Sequence, residues 1–181
     1  NFIINIPLTL TSTDGTAKFT NCAFTFIKGS DGSTISNLDA KQVKNENSPV
    51  IAASHVNNLT FTNNTIFSNQ SKSFPMSFTN VTGINLFNNT VQSNSFNANV
   101  GQPSVIVFFG GSYCNVSGNT VIMNDSNGIY FCTFGSGGES GQNSENSMFS
   151  NYIFNNTIYS IRALPSSFGY PIQVMGRDNI I

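Results

Sequence analysis

The stretch Leu59-Thr-Phe-Thr-Asn-Asn-Thr-Ile66 returns without gaps as Ile84-Asn-Leu-Phe-Asn-Asn-Thr-Val91, Cys114-Asn-Val-Ser-Gly-Asn-Thr-Val121 and Asn151-Tyr-Ile-Phe-Asn-Asn-Thr-Ile158. Self-similarity of this kind is read before any single element, because a repeat defines the architecture. The second Asn of the signature falls at 64, 89, 119 and 156. A weaker fifth copy, Asp178-Asn-Ile-Ile181, sets Asn179 in the same phase. The intervals are 25, 30, 37 and 23 residues, so the shortest define the unit and the longer ones carry insertions.

The pattern is apolar-x-apolar, with Asn151 in place of the first apolar residue in the fourth copy, then two further residues, a small polar residue and an apolar one again: a short strand, a tight corner and a second strand. Phe61, Leu86, Val116 and Ile153 share one inward position, and Ile66, Val91, Val121 and Ile158 share another, by the period-two rule. Asn64, Asn89, Asn119 and Asn156 occupy the corner. Asn is expected there both to take a positive φ and to bond its amide to an identical amide one layer away, forming a structural Asn ladder.

A period of 23 to 25 residues with three short strands per turn predicts an all-β parallel β-helix, in which each coil buries its inward face against its neighbours. A leucine-rich repeat has a similar period, but the chain holds only 6 Leu. A sandwich or barrel would place turns every ~8 to 12 residues without one corner recurring at full-coil spacing. Upstream, Cys22, Phe24 and Phe26 alternate inward, Gly29 to Ile35 makes a corner, and Ile35 and Leu38 begin another coil. Phe108, Ile129 and Phe131 continue the alternation downstream. About seven coils are expected, a rod of roughly 30 to 35 Å at the usual strand spacing, as a single domain over residues 1–181. Lateral loops are expected at Gln92 to Ser104 and Gly135 to Ser147.

Composition agrees. The 181 residues include 28 Asn, 24 Ser and 16 Thr, with 17 Ile, 11 Val and 17 Phe, and β-branched and aromatic side chains suit a pleated surface. Charged residues are 8% of the chain and the net charge is −1, so no field exists to hold nucleic acid or an anionic membrane surface. No run approaches the roughly 20 apolar residues of a membrane span. The opening Asn1-Phe-Ile-Ile4 shows no starting Met and no basic region followed by a long apolar run, so a mature product or a segment of a larger chain is expected.

The Asn-Asn-Thr-Ile/Val repeats, the opening Asn5-Ile-Pro-Leu-Thr-Leu10 and the run Phe24-Thr-Phe-Ile-Lys-Gly-Ser-Asp-Gly-Ser-Thr-Ile-Ser-Asn-Leu38 resemble the adhesin-like right-handed parallel β-helix proteins of archaeal cell surfaces. These are related to the pectate-lyase-like and NosD-type repeat superfamily. The resemblance covers nearly the whole chain. It implies a right-handed coil and a large, secreted, repetitive parent, and it implies no activity, because the superfamily hosts lyases, hydrolases, epimerases and structural rods.

The supply of chemical groups is thin. The acids are Asp14, Asp31, Asp39, Asp125, Asp178, Glu46, Glu139 and Glu145, and no two share a strand face in sequence, as a carboxylate pair or a Ca²⁺-assisted lyase site would need. Asp14 and Asp31 sit beside Gly in turns. His55 is the only histidine, so Ser-His-Asp chemistry would have to run through it. Gly138-Glu-Ser-Gly-Gln142 misses the nucleophile elbow by one position. Cys22, Cys114 and Cys132 are too few for a disulfide scaffold. Cys22 and Cys114 read as buried hydrophobes, with a Cys114–Cys132 bridge as the alternative. Sequons fall at Asn58, Asn63, Asn69, Asn80, Asn88, Asn115, Asn124 and Asn155, and Asn63, Asn88 and Asn155 would form one stripe beside the corner. Phe168 and Tyr170 could stand on a stiff loop as aromatic contacts for a glycan.

The expectation is an extracellular rod, structural or adhesive, with no cofactor and no metal. Its partners would be itself through end-to-end stacking, neighbouring segments of a longer chain, or glycans and other cell-surface molecules. A polysaccharide lyase, epimerase or glycan-binding module is the alternative.

Overall fold

The computed structural model describes residues 1–14, 17–43, 48–69, 74–94, 104–124, 127–132, 149–161, 171–174 and 178–181. Nineteen strands are found there, all paired in parallel, in three sheets. The first sheet stacks Phe2–Ile4, Phe24–Phe26, Ile51–Ser54, Met76–Thr82, Ser104–Ser112, Asn127–Cys132 and Ile172–Val174. The second stacks Thr9–Thr11, Thr34–Ser36, Thr60–Thr62, Asn85–Phe87, Asn115–Ser117 and Tyr152–Phe154. The third stacks Ala17–Thr20, Leu38–Gln42, Thr65–Ser68, Thr90–Ser93, Thr120–Met123 and Thr157–Ser160. The chain visits the three sheets in turn, so the fold is a parallel β-solenoid. Six complete coils are present, and the strand Ile172–Val174 begins a seventh, slightly fewer than the expected count.

Because strands have period two and every pairing is parallel and in register, each inward position becomes a column. In the first sheet Ile4, Phe26, Ala53, Phe78, Phe108, Phe131 and Val174 stand in one line. Its rings stack: Phe78 on Phe108 at 4.7 Å between centroids, and Phe108 on Phe131 at 4.1 Å and 6°. The second sheet lines up Leu10, Ile35, Phe61, Leu86, Val116 and Ile153, and the third Phe19, Ala40, Ile66, Val91, Val121 and Ile158. These three columns form one continuous apolar core. Their burial is possible only because each coil covers the next.

Cys22 is only half-buried at the margin of this core, whereas Phe24 and Phe26 are buried. It precedes the strand and packs against the core from its edge. Gln92 and Ser93 belong to the strand Thr90–Ser93 and Ser104 opens the next strand, so the first expected loop is shorter than its assigned span. Residues 95–103 and the whole second loop lie outside the described residues.

Candidate functional site in the corners and outer face of the second sheet

The corner between the second and third sheets takes two consecutive residues, and the structure divides between them the two properties assigned to one. Asn37, Asn63, Asn88, Gly118 and Asn155 have positive φ, between 53° and 66°. The residues after them, Leu38, Asn64, Asn89, Asn119 and Asn156, turn inward. Asn64, Asn89 and Asn119 are 1% exposed. The expectation that this second Asn takes the left-handed conformation is therefore corrected: the first residue bends the chain, which points the second into the core. Gly118 stands at the bending position, where a left-handed backbone favours glycine.

The inward amides form a ladder. Asn64 donates through Nδ2 to Oδ1 of Asn89 at 3.0 Å, Asn89 to Asn119 at 3.0 Å, and Asn119 to Asn156 at 3.0 Å. Each of these acceptor oxygens also takes the backbone N–H of the preceding ladder residue, at 2.9 to 3.0 Å. The second Nδ2 proton goes to a carbonyl one coil earlier: Ile35 for Asn64, Phe61 for Asn89, Leu86 for Asn119 and Val116 for Asn156. The ladder ends at Leu38, whose N–H donates to Asn64 Oδ1 at 3.1 Å.

A second corner, between the first and second sheets, repeats the device. Gly32, Asn58, Gly83, Tyr113, Ser150 and Asp178 have positive φ and precede the inward residues Ser33, Leu59, Ile84, Cys114, Asn151 and Asn179. Asn151 donates through Nδ2 to Asn179 Oδ1 at 2.9 Å, and Cys114 N–H donates to Asn151 Oδ1 at 2.9 Å. Asn179 therefore belongs to this corner and pairs with Asn151, not with Asn156. The fifth copy of the repeat is shifted: it aligns with the opening of the signature, and Ile180 bridges Tyr152.

Outward positions also form columns. On the second sheet they are Thr9, Thr34, Thr60, Asn85, Asn115 and Tyr152, and beside them Thr11, Ser36, Thr62, Phe87, Ser117 and Phe154. The face is uncharged throughout. Its first half is a hydroxyl array, with Ser36 Oγ donating to Thr11 Oγ1 at 2.8 Å, and its second half mixes amides with aromatic rings. Tyr152 and Phe154 are each 45% exposed. Sequence reasoning missed these aromatics, although they stand at the outward positions of the quoted repeats. The chosen pair, Phe168 and Tyr170, lies outside the described residues.

The sequon residues separate by environment. Asn58, Asn63, Asn69, Asn88 and Asn155 are exposed, while Asn80, Asn115 and Asn124 are half-buried. Oδ1 of both Asn115 and Asn124 is buried without a hydrogen-bond partner. Asn63, Asn88 and Asn155 lie on the one column of bending residues, with Gly118 between the last two.

The remaining candidate groups stand apart. Asp31 accepts from the backbone N–H of Asn57 at 2.8 Å and from its Nδ2 at 3.0 Å, and the backbone bond above all holds its carboxyl below the usual range. Asp39 pairs with Lys41 at 3.2 Å on one strand. His55 accepts at Nε2 from Asn80 Nδ2, 3.2 Å away, which places the proton of the neutral ring on Nδ1, 2.8 Å from Ser54 Oγ. In that tautomer the ring donates to Ser54 and does not take its proton. Cys114 is a buried free thiol that burial pushes up to about 12, and Cys22 is also free. The side chain of Cys132 is outside the described residues. Among the described residues no three His, Cys, Asp or Glu side chains gather as a metal site, and no helix is long and apolar enough to cross a membrane.

The architecture and its corner ladders define a parallel β-solenoid repeat protein. Comparison with known protein families, characterised proteins and solved structures finds no match to this chain.

Proposed function

We propose that this chain is a stiff segment of an extracellular β-helical rod that serves in the structure and adhesion of a cell surface. The observation that carries the reading is the buried ladder Asn64–Asn89–Asn119–Asn156, which ties four successive coils along the axis while three parallel sheets stack in register around it. Such a rod spans distance without bending, and its side faces, not its core, are free to vary. The outer face of the second sheet supports the adhesive part. Hydroxyls, amides and exposed aromatic rings without charge suit neutral sugars and other neutral surface molecules. Filament growth would follow from the unpaired strand edges that any open coil presents to another.

Immunogold labelling of intact native cells, with negative-stain microscopy of the released material and adhesion of protein-coated beads, tests the reading. Label outside the cell on rods or fibres, with bead attachment, is the expected result. Label confined to the interior, or beads that bind no more than albumin-coated controls, would overturn it.

A further inference from the structure

Phe87 and Phe154 face outward in one column of the second sheet, two coils apart, each immediately before a left-handed corner residue that opens a sequon. The sequences are Phe87-Asn-Asn-Thr90 and Phe154-Asn-Asn-Thr157. Asn88 and Asn155 are exposed, at φ 53° each. The coil between them carries Ser117 and Gly118, so small residues fill the gap of two strand spacings, about 9.5 Å. Phe154 is 45% exposed, an unusual state for a Phe in a strand whose apolar partners are inward.

We propose that Asn88 and Asn155 carry N-linked glycans whose first sugars pack on the rings of Phe87 and Phe154. The proposal rests on the extracellular reading for its place in the living cell. In the attachment step, Asn Nδ2 forms a C–N bond to the anomeric carbon of a sugar carried on a lipid-linked phosphate. The C–O bond to the phosphate breaks, its electron pair leaves with the phosphate, and the amide gives up one proton. A pyranose attached to the corner reaches the preceding residue on the same surface, and its apolar C–H face covers a ring that otherwise meets water. Asn63 supplies an internal control. It sits on the same corner column with the sequon Asn63-Asn-Thr65, but Thr62 stands where the ring would be. Asn115 is the opposite case: its amide oxygen is buried on the sheet between Asn85 and Tyr152, so a glycan there would have to pull the amide out.

The test is expression of the whole chain through the secretory route of a eukaryotic host, glycopeptide mapping, and thermal unfolding after trimming to the single attached sugar. The unglycosylated chain from bacteria is the reference. Expected are sugars on Asn88 and Asn155, none on Asn115, and a melting temperature raised by about 2–4 °C. Phe87→Ser and Phe154→Ser should abolish that rise without preventing folding, since both rings point outward, whereas Phe154→Tyr should retain it. Both sequons empty in the secreted protein, or a rise unchanged in the Ser variants, would overturn the proposal. These results stand apart from the cellular reading: host-made protein can show the sugar–ring coupling even if native labelling places the rod inside the cell, and the rod can lie outside the cell with both sequons bare.

Discussion

Oδ1 of Asn89 receives two protons from one residue, the Nδ2–H and the backbone N–H of Asn64, both at 3.0 Å. A single carboxamide thus satisfies a buried side chain and a buried main chain together, while its own nitrogen serves Asn119 and the carbonyl of Phe61. Replacement of Asn89 by Ala leaves two donors of Asn64, its backbone N–H and one Nδ2 proton, without their acceptor inside the rod, whereas Asn119 Oδ1 keeps the backbone N–H of residue 89.

Unfolding in urea should therefore show Asn89→Ala less stable by about 2–4 kcal/mol, since each orphaned buried group costs roughly 1–3 kcal/mol and some will find water. Asn156→Ala, at the half-buried end of the ladder, should cost less. Equal losses at the two positions would mean that burial does not set the cost.

At the bending position the rank order inverts. Asn63→Gly should be nearly neutral, whereas Asn63→Ala should cost about 1 kcal/mol, because alanine keeps the left-handed Cβ but loses the short polar side chain that makes this conformation tolerable. Gly118→Ala should cost more than Asn63→Ala, because glycine holds the left-handed backbone without strain whereas Asn63 already carries a Cβ there; the new Cβ meets only the movable amide end of exposed Asn88. Chemical denaturation of the three variants checks the order.

The ring stack makes the first-sheet column sensitive to truncation. Phe108→Ala, which removes a fully buried ring lying between Phe78 and Phe131, should destabilise the rod by about 3–5 kcal/mol. Circular dichroism against temperature reads this directly.

Cys114 gives a prediction in pH. Its thiol is pushed up to about 12 by burial, above the value it takes in the unfolded chain, so the folded state holds the proton more tightly. The resulting stability is fully present below the unfolded thiol pKa and is lost as pH rises from there towards 12. Peptide-resolved alkylation at pH 8 should label Cys22 promptly and Cys114 only on unfolding.

Asp31 acts in the opposite direction. Its carboxyl is held low by the Asn57 N–H, so the contribution is present above the ordinary carboxylate range and disappears as pH falls through the lowered value. Asp31→Asn should remove that part of the acid sensitivity, measured as the pH dependence of the urea midpoint.

The coil path was legible because inward positions repeat with period two and corners recur at full-coil spacing, so Phe61, Leu86, Val116 and Ile153 declared one column. The division of labour within the corner was not, because both residues are Asn in three of four copies. The third copy held the signal: Gly118 replaces the residue that bends, and Asn119 keeps the one that bonds. Asn179 was misplaced for a related reason, since each coil has two similar corners and a truncated copy fits either until strand pairing selects one. The outer face was readable in principle from Phe87 and Phe154, which precede the paired Asn residues, but nothing in the pattern alone says that an outward ring matters.

The carboxamides of the main ladder point the same way: Asn64, Asn89 and Asn119 each give an Nδ2 proton to the Oδ1 of the following coil, and Asn156 accepts the last of them. The stack therefore behaves as a vector, with aligned bond dipoles adding along its length and a distinct head and tail. Two such rods meeting end on are not equivalent in the two orientations. A head-to-tail joint keeps the two vectors aligned, while a head-to-head joint sets them against one another, so a fibre built head to tail from this unit carries a direction of its own.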